Sequence, residues 1–66
     1  MDATTKAVIE TIGGAGFTVQ LYGKNGQNVV EAVNEKTDET FVVRGDDLYL
    51  VVVELAQQCG IELEDG

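Results

Sequence analysis

Apolar positions follow two rhythms along this chain, and the rhythm changes twice. Near the N-terminus Thr5, Val8, Ile9 and Ile12 share one helical face while Ala3, Lys6, Ala7, Glu10 and Thr11 share the other. That spacing predicts an amphipathic helix over residues 3–13. Asp2 or Thr4 is placed to cap its first turn. The cluster Gly13-Gly14-Ala15-Gly16 ends it, because glycine disfavours continuation and supplies positive φ.

Period two takes over at Phe17. Phe17, Val19 and Leu21 alternate with Thr18, Gln20 and Tyr22, as in a strand with one buried face, over residues 17–23. Asn25-Gly26 is a strong hairpin signal. A type I′ turn there sets Leu21 opposite Val30, Val19 opposite Ala32 and Phe17 opposite Asn34, with a second strand over 27–34. A loop at Glu35-Lys36-Thr37-Asp38 then pairs Ala32 with Phe41 and Val30 with Val43, giving a third strand over 39–44. Two independent turns thus gather Phe17, Val19, Leu21, Val30, Ala32, Phe41 and Val43 on one face.

The stretch GDDLYLVVVELAQQCG is written in strand-favouring residues but has no alternation. At about 100° per residue, Val51, Val52, Leu55 and Cys59 lie within about 60° of Leu48, the stripe of a core-facing helix. Burial overrides the poor helix propensity of valine. Asp46 and Asp47 suit the positive end of the helix dipole and Gly60 suits its close, so the helix is expected over residues 46–59. The fold class that follows is α+β: a two-layer αβββα domain over residues 1–66, its three-stranded antiparallel meander covered on one face by both helices. Residues 61–66 form an acidic tail, with the closing ELEDG expected to fray.

This element order resembles the double-stranded-RNA-binding-domain fold over most of the chain. In that family a Lys-Lys-x-Ala-Lys motif opens the last helix and grips phosphates. The matching stretch here is Asp46-Asp47-Leu48-Tyr49-Leu50, so the resemblance is one of topology. Duplex RNA binding ranks last among the expected functions, because 12 acidic and four basic residues repel a phosphate backbone.

Composition narrows the chemistry further. Sixty-six residues make one domain, and a chain of this size buries only about 60% of its unfolded surface, so stability is marginal without help. The single cysteine, Cys59, cannot pair within the chain, and the absence of histidine removes the usual zinc ligands. A good core or oligomerisation remains. An apolar content of 44% at net charge −8 places the chain among folded proteins. MDATTKAV lacks the basic start and apolar stretch of a signal peptide, and no apolar run is long enough for a membrane span. Cytoplasmic residence and no membrane contact are expected.

No catalytic constellation emerges. Without serine or histidine the common nucleophile pairs are missing, and Cys59 has no base to activate it. Gly13-Gly14-Ala15-Gly16 leads from helix to strand, the reverse of a phosphate loop. Arg44-Gly45-Asp46 reads as a strand end followed by a cap. Asp46 with Asp47, and Glu62 with Glu64 and Asp65, have no calcium-loop spacing. No catalytic, cofactor-binding or metal-ligating residue is assigned, and the chain is expected not to be an enzyme.

One excess is left over. The reverse side of the second helix carries Tyr49, Leu50 and Val53, and the outer sheet face carries Tyr22, Val29, Val33 and Val42. A helix apolar nearly all round is normally buried all round, and one sheet cannot cover both sides. These seven residues are the interface candidates. The expected function is a small acidic, non-enzymatic protein-interaction module, self-associating as a homodimer or binding another protein. The alternative is an acidic nucleic-acid mimic that inhibits a DNA- or RNA-binding protein.

Overall fold

The computed structural model describes residues 1–63. The elements are α1 (Ala3–Gly14), β1 (Phe17–Lys24), β2 (Gln27–Asn34), β3 (Thr40–Gly45) and α2 (Leu48–Gln58). The strands form one antiparallel sheet in the order β1-β2-β3. This is the αβββα meander that the two hydrophobic rhythms predict.

Turn chemistry fixes the register. Asn25 and Gly26 both take positive φ, 53° and 78°, as a type I′ turn requires. Phe17, Val19 and Leu21 stand opposite Asn34, Ala32 and Val30. The second hairpin closes with the Asn34 N–H donating to the Glu39 carbonyl at 2.8 Å. Within that loop Asn34 does more than end a strand: its Oδ1 accepts from the Lys36 and Thr37 amides at 2.9 and 3.2 Å. That Asx-type contact shapes the turn and leaves Ala32 opposite Phe41 and Val30 opposite Val43.

Both helices lie on the same sheet face. Val8 and Ile12 of α1 and Val51, Val52, Leu55 and Ala56 of α2 join Phe17, Val30, Ala32 and Val43 in one core cluster. The small Ala32 in the central strand leaves room for the rings of Phe17 and Phe41 to meet, centroids 6.3 Å apart and tilted by 56°. Leu21 lies on the expected core face but is not buried there: it is 42% exposed. It sits on the edge strand, while α2 packs over β2 and β3, and the cover that α2 gives stops short of it.

The helix ends show why each helix starts and stops where it does. Asp2 caps α1, its carboxylate accepting from the Thr5 amide at 2.7 Å. That amide holds the Asp2 carboxyl below its ordinary pKa. For α2 the cap is Asp47, which accepts from the Leu50 amide at 3.3 Å, so the helix opens at Leu48 and Asp46 stays outside it. Its C-terminus closes as a Schellman motif: the Gly60 amide donates to the Gln57 carbonyl and the Ile61 amide to the Ala56 carbonyl, at 3.1 and 2.9 Å. Ile61 and Leu63 then pack against the core cluster. The remainder of the expected acidic tail, residues 64–66, lies outside the described residues.

Candidate interaction surfaces

The buried arc of α2 runs through Val51, Val52, Leu55 and Ala56. Its opposite side holds Leu50, 62% exposed, and Tyr49, 40% exposed, with Val53 half-buried beside them. Leu50 shares a shallow groove with Asp46, Asp47 and Glu54, and with Arg44 from the end of β3. The α2 apolar surface is therefore bordered by carboxylates at the helix N-terminus.

Tyr49 and Val53 turn toward α1. With Thr4, Ala7 and Thr11 of α1, and with Ile61 and Leu63, they line an open groove of about 1030 Å³. The sequence pattern does not reveal this groove because one of its walls is made by Ile61 and Leu63, which the pattern assigns to an acidic tail. Glu62 is the single carboxylate among the described residues that line it. Two-carboxylate chemistry needs a second acid converging there.

The outer sheet face is less apolar to solvent than its sequence suggests. Val29, expected to be open, retains 4% exposure. It stands on the central strand with Tyr22 and Arg44 as its two cross-strand partners, and long side chains at such positions cover an apolar neighbour between them. Val33 is half-buried, whereas Tyr22 and Val42 are exposed. The structure thus brings Tyr49, Leu50 and Val53 together on α2 and leaves Tyr22 and Val42 on separate strands flanking the covered Val29.

Comparison of the chain with protein-family models, with curated proteins and with solved structures yields no match. Its function is read from its own surfaces. Among the described residues no three His, Cys, Asp or Glu side chains are grouped as a metal site requires. No helix among them is long and apolar enough to cross a membrane. Cys59 is half-buried at the end of α2, and burial, aided by the charge of Glu39, raises its thiol pKa. Both effects favour the protonated, weakly nucleophilic form.

The signal that sequence reasoning did not use is the free edge of β1. Among the described residues β1 pairs only with β2. Its residues Phe17 to Gly23, FTVQLYG, carry neither charge nor proline, and the strand's one charge is Lys24 at the turn end. Natural edge strands usually carry such guards. The other edge, β3, is shorter and bears Arg44, with Glu39 just before it.

Proposed function

We propose that this chain is a small acidic, non-enzymatic protein-interaction module that self-associates and offers the outer side of α2 to a protein partner. The observation that carries the reading is the exposure of Leu50 beside Tyr49 and Val53. Fully burying a leucine of this kind contributes about 1.5–3 kcal/mol before association costs. The carboxylates of Asp46, Asp47 and Glu54 around Leu50 outnumber Arg44 in the same groove and favour a partner with a basic rim. A cytoplasmic setting suits the single unpaired cysteine.

Two measurements test the two halves of this reading. Sedimentation equilibrium over a range of concentrations is expected to give a mass rising above the 7.1 kDa of one chain; a constant monomer mass ends the self-association half. Titration with a lysine-rimmed amphipathic helical peptide, followed by NMR, is expected to shift the Leu50 and Val53 methyl signals. Leu50→Lys combined with Val53→Lys is expected to abolish that binding, and unchanged affinity ends the α2 half.

The same carboxylates support a second reading, an acidic mimic that occupies the cleft of a nucleic-acid-binding protein. Under it, the chain competes with DNA for a basic protein and binding weakens steeply with salt. Docking dominated by Leu50 and Val53 depends far less on salt.

A further inference from the structure

We infer that two copies of this chain pair through the free edge of β1, antiparallel and centred on Gln20, to make one continuous six-stranded sheet. The inference rests on the reading of the chain as self-associating and names the surface that reading leaves open. The α2 face is poorly suited to self-contact, because a two-fold there brings Asp46, Asp47 and Glu54 of both copies together against one cation per copy, Arg44, in a chain of net charge −8. The β1 edge carries no carboxylate, and its one charge is Lys24 at the turn end.

The phase of the ladder determines which groups are free. The Glu35 amide donates to the Gly16 carbonyl at 3.1 Å, next to the Phe17–Asn34 pair. Antiparallel bonding alternates from there, so Thr18, Gln20, Tyr22 and Lys24 exchange hydrogen bonds with β2. The amides and carbonyls of Phe17, Val19, Leu21 and Gly23 point away from the sheet. An array of alternating donors and acceptors along a strand is satisfied by another strand.

A register with Gln20 facing Gln20 uses all four. Val19 then pairs with Leu21 of the second copy and Phe17 with its Gly23, on the helix side, so the 42% exposed Leu21 gains a valine neighbour. On the outer side Thr18 meets Tyr22, a favourable cross-strand pair. A shift that centres Leu21 instead runs Phe17 against Asn25, whose positive φ of 53° belongs to the turn. The Gln20 register also sets Lys24 of the second copy opposite Gly16, whose neighbour on β2 is Glu35. Two strand spacings, about 10 Å, separate their backbones, a span these two side chains bridge together. Thr18 Oγ1 donates to Glu35 Oε1 at 3.0 Å, holding that carboxylate on the outer face beside β1. The two-fold makes this ion pair twice.

Position 20 faces itself, and that gives the test. Gln20→Glu alone and Gln20→Lys alone each place like charges across the two-fold, so each variant is expected to dimerise about five-fold more weakly than the wild type. Their equimolar mixture is expected to recover association. Leu21→Pro, which removes an edge donor that no strand of the same chain uses, is expected to abolish the dimer with the circular-dichroism spectrum retained. A wild-type dimer that both charge variants and their mixture leave unchanged, while Leu50→Lys with Val53→Lys dissolves it, overturns the β1 edge and leaves self-association standing. A wild-type chain that stays monomeric throughout overturns both.

Discussion

At the residue scale, Cys59 shows how position decides chemistry. It falls on the core-facing stripe of α2, caps that helix and packs against the core cluster. Burial and the Glu39 carboxylate both raise its thiol pKa, so the thiolate fraction at neutral pH falls below that of an exposed cysteine. We expect a thiol-specific disulfide reagent at pH 8 to modify Cys59 several-fold more slowly in the folded chain than in the urea-unfolded one. Equal rates would show that the side chain is free of the core. Val29 and Leu21 teach the same lesson in opposite directions. The sequence places Leu21 on the core face and Val29 outside, and both placements are right as to face. Their exposure is inverted because it depends on neighbours that alternation does not reveal: Tyr22 and Arg44 flank Val29, while the helix layer does not reach Leu21 on the edge.

At the element scale, the strands were the most legible part of the chain, because two short turns each allow one register. Asn25-Gly26 and the loop from Glu35 to Asp38 independently put apolar side chains beside apolar side chains, and the observed pairs are those they predict. Helix boundaries were less legible, since Asp46 and Asp47 are equally good caps on paper. The choice of Asp47 follows from hydrogen-bond geometry that only the folded chain supplies. The close of α2 turns on Gly60, which has φ of 78° and open space where a Cβ would go. Gly60→Ala is therefore expected to lower stability through backbone strain alone, by about 1 kcal/mol, read as a shifted urea midpoint with unchanged slope. A midpoint that does not move would mean that the Schellman turn adds nothing.

At the scale of the whole molecule, the protein is a thin slab of 31 × 29 × 15 Å with one core between a sheet and two helices. Leu55 is fully buried in that core. Leu55→Ala should cost about 2–5 kcal/mol, a large share of the stability available to so small a domain, so cooperative thermal unfolding is expected to be severely weakened or lost at room temperature. Retention of a sharp, barely shifted transition would imply a stronger source of stability than this core. The function was less legible than the fold for a related reason: patterning reports which side chains face inward, whereas the free β1 edge is a property of backbone groups and of strand order. The order in which the core residues leave the ribosome adds a last consequence. Val51, Val52, Leu55 and Ala56 come late in the chain and provide the α2 side of the cluster that Val8, Ile12, Phe17, Val30 and Ala32 await. Local hairpins close quickly, but a three-stranded sheet without its second helix leaves most of that cluster wet. Acquisition of the native core during synthesis is accordingly delayed until α2 has emerged, and until then the nascent chain exposes both its apolar sheet face and its unpaired β1 edge to whatever chaperone or sister chain is nearest.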